Sequence, residues 1–258
     1  MNLELALYGI TASFLAGMMT VIGALPAFFN KKISPKTEDI LLGFSAGIML
    51  AASFFSLLNP SIELAEKNYE SKFLAAVIVS FGLSLGAVIF FFIDRFIPED
   101  YFISIDYKDI KDIKSVWIFI LAITVHNFPE GMSSAIGFLT GDIYKGIALA
   151  SGIGIQNMPE GLAVALALVS KGYPVSRALF IAFLSGIVEP IGGIFGIITF
   201  GFSHIVLPVG LAFAAGAMIF VISKEIIPQT HKKGYEMEAT TGLLIGFILM
   251  MILDVALG

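Results

Sequence analysis

The sequence predicts an all-α membrane protein of eight transmembrane helices, and three observations predict it. The 258-residue chain is 57% hydrophobic and only 14% charged, with a mean hydropathy of +0.93; a soluble domain carries about 25% charged residues. Its apolar residues gather into eight runs, each near the ~20 residues that a helix needs to cross a hydrocarbon core. Its basic residues collect in alternate connections. The chain holds no cysteine, which excludes disulfides and thiolate metal sites. The formal charge of −5 sits mostly in connections and names no partner.

The runs follow one another with short breaks, so residues 1–258 read as a single polytopic transmembrane domain. The first is Leu5–Phe29. It is too long for the apolar part of a cleavable leader, and Met1-Asn2-Leu3-Glu4 lacks the positive charge such a leader needs, so it is expected to stay as a helix. Ile40–Leu58 is rich in small residues, which let transmembrane helices approach closely. Phe73–Ile93 follows, then the one long connection, residues 94–115, whose alternating Asp and Lys read as a solvated loop or short surface helix. Val116–Phe138 and Tyr144–Val169 are the central pair. Val175–Phe200, Ile205–Ile227 and Thr240–Leu257 complete the set.

Lysine and arginine set the orientation. The odd connections hold Lys31, Lys32 and Lys36; Arg95, Lys108, Lys111 and Lys114; Lys171 and Arg177; and Lys224, Lys232 and Lys233. The even ones hold only Lys67, Lys72 and Lys145. The odd connections, including 94–115, are therefore expected in the cytoplasm, with both termini outside.

One stretch is echoed. Leu42-Gly43-Phe44-Ser45-Ala46-Gly47-Ile48-Met49-Leu50 in the second run resembles Leu211-Ala212-Phe213-Ala214-Ala215-Gly216-Ala217-Met218-Ile219 in the seventh. Those two helices run in opposite directions, so the echo predicts an inverted repeat of helices 1–3 and 6–8 around central helices 4–5.

The chemistry lies in that central pair. His126-Asn127-Phe128-Pro129-Glu130-Gly131 and Gln156-Asn157-Met158-Pro159-Glu160-Gly161 share N-x-P-E-G, each near the middle of its run. A carboxylate at that depth costs about 2.5–3.5 kcal/mol on insertion scales, so it signals function. Residues four apart share a helix face, which pairs His126 with Glu130 and Gln156 with Glu160. Pro129 and Pro159 cannot donate and free the carbonyls of Val125 and Ile155, bending each helix. Glu189 adds a third acid in mid-membrane, with no basic partner at its depth other than His126.

Imidazole, carboxylate and amide oxygen together suit a borderline divalent ion such as Zn²⁺, with Fe²⁺, Mn²⁺ or Cd²⁺ as alternatives. An ion of this kind would neutralise the three acids. Asn127 and Asn157 read either as ligands or as bridges between helices. Two other readings use the same residues: an intramembrane metalloenzyme, with bound metal activating water, and a proton-linked transporter of another ion, with the acids as relays. Against the enzyme, the chain has no H-E-x-x-H motif, and nearly every polar group at mid-depth is suited to ligating metal directly.

The paired motifs resemble the signatures on the fourth and fifth helices of ZIP (Zrt/Irt-like) metal transporters, particularly the compact prokaryotic branch, and the resemblance spans essentially the whole chain. It implies uptake of divalent metal, often Zn²⁺, into the cytoplasm by alternating access through a midplane site of one or two ions. On that resemblance His126, Glu130, Gln156 and Glu160 hold one ion with Met49. Asn127, Asn157 and Glu189 hold a second, bridged by Glu130 and Glu160. Many members carry histidine at the position of Gln156, some carry aspartate at that of Asn157, and many have a His-rich segment in the long cytoplasmic loop, which has none here.

Polar residues toward the membrane faces are candidates for the ends of the path: the acids Glu63 and Asp254, with Ser56 one or two turns deeper, for the entrance, and Asp94 and Glu225 for the exit. His204 and His231 read as surface residues. The expected partners are divalent metal ions as substrate and the lipid bilayer of a plasma (inner) membrane. No prosthetic group, nucleic acid or enzymatic activity is expected, and a homodimer is left open.

Overall fold

The computed structural model describes residues 2–29, 34–69, 71–95, 111–170, 172–200, 205–232 and 234–257. Among them there are helices and short connections, with no strand. Helix α1 spans Leu3–Ala24 and tightens into a 3₁₀ turn, Leu25–Phe28; Asn2 caps its start by accepting from the amide of Glu4. Helix α2, Pro35–Ala51, is capped by Ser34, which accepts from Thr37 N at 3.1 Å, and Pro35 supplies a preset φ at its first position.

The next two expected runs behave differently from one another. The second does not stop at Leu58. A π-helical segment, Ala52–Leu58, leads into α3, Asn59–Asn68. Pro60 lies in the first turn of α3, where its missing N–H is best tolerated, so it does not end the rod. Helix α4, Lys72–Arg95, matches its expected run. Helix α5, Lys111–Gly137, begins inside the expected 94–115 connection, of which residues 96–110 lie outside the described residues.

Helix α6 is Ile143–Ser170. The sixth run is divided at Ile187 into α7, Val175–Gly186, and α8, Val188–Phe200. Pro190 has no N–H to return to the turn containing Gly186, while Ile187 N still bonds Phe183 O at 2.9 Å. Helix α9, Leu207–Val221, passes through a second π segment, Ile222–Ile226, into the short α10, Ile227–Thr230. Helix α11 is Glu236–Leu257. Seven stretches of these helices are long and apolar enough to cross a membrane. The eighth expected crossing corresponds to α5, whose side chains are described only in part.

Four tight pairings organise the bundle: α2 with α11, α4 with α9, α1 with α6, and α5 with α8. Glycine lets the backbones touch in each. Gly242 and Gly246 of α11 rest on the carbonyls of Ile40 and Phe44, while Gly47 of α2 rests on that of Leu243. On the other side Gly82 and Gly86 of α4 rest on Val209 O and Phe213 O, and Gly216 of α9 rests on Leu83 O. A side chain at any of these positions would collide with backbone, so the helices lock at a separation only small residues permit. The apolar core, including Ile48, Met49, Ile153, Leu211 and Met218, fills the space between the pairs.

Candidate metal site

The two motifs are brought to one place by glycine contacts of the same kind. Gly131, directly after Glu130, packs on the backbone of Glu189, and Gly161, directly after Glu160, packs on that of Thr20. Gly192 and Gly23 each sit one turn further along α8 and α1, against Phe128 O and Met158 O. All three acids are thus placed where helices approach most closely, and all are buried: Glu130 and Glu189 fully, Glu160 with 6% exposure.

Amides hold two of them. Gln156 Nε2 donates to Glu130 Oε1 at 2.8 Å, linking α6 to α5. Asn157 Nδ2 donates to Glu189 Oε1 at 2.6 Å and to Ala16 O at 3.0 Å, linking α6 to α8 and α1. Asn127 Nδ2 instead donates to Ser185 O at 3.0 Å and Ser185 Oγ at 3.2 Å. Ser185 was not predicted. It stands four residues before Glu189, the same spacing that paired His126 with Glu130, and that periodicity was the available signal.

The acceptors left over matter most. Among the described residues, Glu130 Oε2, Glu189 Oε2, Gln156 Oε1, Asn127 Oδ1 and Asn157 Oδ1 are all buried with no hydrogen-bond donor. Buried polar atoms in native proteins are paired in the great majority of cases, and each unpaired acceptor costs about 1–3 kcal/mol. These five oxygens, two of them on acids, form a set of acceptors suited to a cation. The three carboxylates are close enough to feel one another's charge, which a bound cation would relieve. Among the described residues no three His, Cys, Asp or Glu side chains form a metal-binding cluster by themselves. The buried amide oxygens of Gln156, Asn127 and Asn157 are further candidate donors beside the acids.

Met49 is fully buried on α2, one turn beyond Ser45, whose Oγ donates to Gln156 O at 3.1 Å. That bond turns this face of α2 toward α6 and Met49 with it. The side chain of His126 lies outside the described residues, as do those of Asp94 and Glu225 and the whole of His204. At the other expected mouth, Ser56 Oγ donates to Asp254 Oδ1 at 2.6 Å, joining α11 to the π segment after α2. Glu63 is exposed on α3. His231 is exposed, its Nδ1 2.8 Å from Ile227 O. A cleft of about 390 Å³ between α1 and α6, lined by residues such as Leu15, Met19, Ile147 and Ile155, includes none of the three acids.

The family model described as ZIP zinc transporter matches residues 3–101 and 105–254. The chain belongs to the ZIP zinc transporter family. It is 41% identical over 252 residues to "Zinc transporter GufA" of Myxococcus xanthus, covering 97% of this chain and 99% of that protein. It is 45% identical over 255 residues to "Zinc transporter ZIPB" of Bordetella bronchiseptica, covering 98% of this chain and 81% of the relative. With "Zinc transporter ZupT" of Chlorobaculum parvum it shares 32% identity over 264 residues, covering 95% and 96%. Membership makes this ZIP protein a multi-pass membrane transporter and not an enzyme, which removes the metalloenzyme reading.

Proposed function

We propose that this ZIP protein carries divalent metal, Zn²⁺ first among them, into the cytoplasm by alternating access through the site between α5, α6 and α8. The observation that carries the reading is the set of five buried oxygens without donors around three buried acids. Glu130, Gln156 and Glu160, with His126 and Met49, hold one ion. Asn127, Asn157 and Glu189 hold a second, with Glu130 and Glu160 shared. The two amide–carboxylate bonds support two adjacent half-sites, because Gln156 and Asn157 are consecutive on α6 yet reach acids on different helices.

Eight crossings, with both termini outside and residues 94–115 centred on the cytoplasmic side, fit the distribution of basic residues. Zinc then enters past Ser56, Asp254 and Glu63 and leaves past Asp94 and Glu225. Release needs the site to open, and the π segments at Ala52–Leu58 and Ile222–Ile226 are the places where α2 and α9 depart from regular α-helical bonding.

Radioactive Zn²⁺ uptake into proteoliposomes tests the reading. The wild-type protein is expected to exceed empty vesicles, and Glu130→Ala or Glu160→Ala to abolish the excess. Near-normal flux in either variant would refute the assignment, and a wild-type flux of protons without zinc would favour proton-linked transport of another ion.

A further inference from the structure

The glycine contacts recur in a fixed register. One numerical offset relates Ile40 to Val209, Phe44 to Phe213 and Gly47 to Gly216; a second relates Gly82 to Gly242, Leu83 to Leu243 and Gly86 to Gly246. The first offset also relates Gly17 to Gly186, Thr20 to Glu189 and Gly23 to Gly192, whose partners Phe128 and Gly131 correspond to Met158 and Gly161. Gly17 and Gly186 each pack on the other's carbonyl. Even the asparagine bonds obey it: Asn157 to Ala16 O and Asn127 to Ser185 O are both 3.0 Å. The offset that matches α1 with α7 and α8 is the one that matches the echoed stretch of α2 with α9.

In this register the counterpart of Glu189 is Thr20. A methyl group placed on Gly17 would lie 3.3 Å from Glu189 Oε1, and one placed on Gly186 would lie 3.3 Å from Thr20 Oγ1. The two side chains therefore reach across the α1–α7 contact in equivalent ways. Thr20 is 1% exposed, and its hydroxyl has no hydrogen-bond partner among the described residues.

Thr20 is one of three buried hydroxyls, with those of Ser13 and Ser134, that have no hydrogen-bond partner among the described residues. Buried serines and threonines in helices ordinarily bond the carbonyl four residues back, as Ser53 does to Met49 O, Thr124 to Ile120 O and Ser133 to Pro129 O. For Thr20 that carbonyl belongs to Ala16, and it accepts from Asn157. The residue that engages Glu189 thus also competes for the local acceptor of Thr20, whose hydroxyl faces Gly186 across the α1–α7 contact.

We infer that Thr20 supplies a neutral oxygen to the transported ion from α1, opposite Glu189. The inference rests on the midplane metal site proposed above. It adds a helix, α1, that the sequence motifs do not mark, and it sets unlike groups at one position of the register: a carboxylate, Glu189, in one half and a hydroxyl, Thr20, in the other.

Zinc binding to the purified full-length protein, measured by equilibrium dialysis against Zn²⁺, tests it. Thr20→Val keeps the shape and removes the hydroxyl. It is expected to weaken binding about three- to tenfold, the range for losing one neutral polar contact, with the metal-free melting temperature unchanged and Thr20→Ser restoring affinity. Unchanged affinity in Thr20→Val overturns the inference, as does a loss that tracks a lower melting temperature or that Thr20→Ser fails to rescue. Glu130→Gln separates the two levels: if it binds zinc like the wild type, the midplane site itself fails. If it weakens binding while Thr20→Val does not, only the role of Thr20 falls.

Discussion

On α6, the asparagine of N-x-P-E-G grips an acid: Asn157 holds Glu189 at 2.6 Å, and its neighbour Gln156 holds Glu130 at 2.8 Å. On α5, the asparagine of the same motif grips a neutral residue, with Asn127 bonded, among the described residues, to the carbonyl and hydroxyl of Ser185. Identical side chains at matched positions thus do unequal work. The α6 motif fixes the carboxylates of other helices in place, while the α5 motif contributes its own carboxylate and is held by a backbone. What differs is the helix each motif faces. α1 offers Ala16 and Thr20 where the α7–α8 segment offers Ser185 and Glu189, and the motif's chemistry follows its surroundings.

Substitutions that separate the two motifs should fall in a clear order. The largest effect is expected from Glu189→Gln, which removes the acid on which the α6 asparagine acts. Zinc bound per protein, measured by elemental analysis after dialysis, should fall by one ion, and unchanged stoichiometry would place the second ion elsewhere. Asn157→Ala comes next. It leaves Glu189 Oε1 buried without its donor, and losing a bond to a charged group costs about 1.5–3 kcal/mol, or roughly tenfold or more in zinc affinity if that acid is misplaced. Asn127→Ala leaves no acid without its donor, because the Asn127 amide bonds neutral groups of Ser185, and should cost less than Asn157→Ala; equal losses would erase the comparison.

Gln156→His should act in the opposite direction. Imidazole is the better zinc ligand, so affinity should rise, and no change would show that position 156 does not touch the metal. The smallest effect is expected from Ser56→Ala at the outer mouth. Asp254 is only partly buried, and water can replace the lost donor, so uptake at saturating zinc should stay within about twofold of wild type.

Much of this was legible in the sequence, for physical reasons that also mark the limits. The runs announce themselves because lipid demands about 20 apolar residues, and Glu130, Glu160 and Glu189 stand out because charge in that setting is costly. Thr20 and Ser185 carry no such cost. A hydroxyl passes unnoticed in an apolar run because it ordinarily bonds its own helix, and only the contact with Asn157 reveals that Ala16 O is already engaged. The division at Ile187 was signalled by Pro190, but Pro60 and Pro228 gave the same signal within continuous rods. The π segments left no mark in hydropathy, which counts apolar residues and is blind to how their carbonyls are paired. The echo between the second and seventh runs was visible over nine positions, whereas the matching register of Gly82 with Gly242 lies in helices whose sequences otherwise differ.

The π segment at Ala52–Leu58 also sets the phase of everything after it. Each residue of an α-helix turns the chain about 100°, so a wide turn that accommodates an added residue lets α3 face a direction α2 could not dictate. Ser56 meets Asp254 and Ser61 meets Pro208 O only in that phase. Deleting one residue between Ala52 and Leu58 would leave composition and hydropathy almost untouched. It would swing α3 by about a quarter turn and carry both serines off their partners, so the α3 end of this rod is tuned by length as much as by residue type.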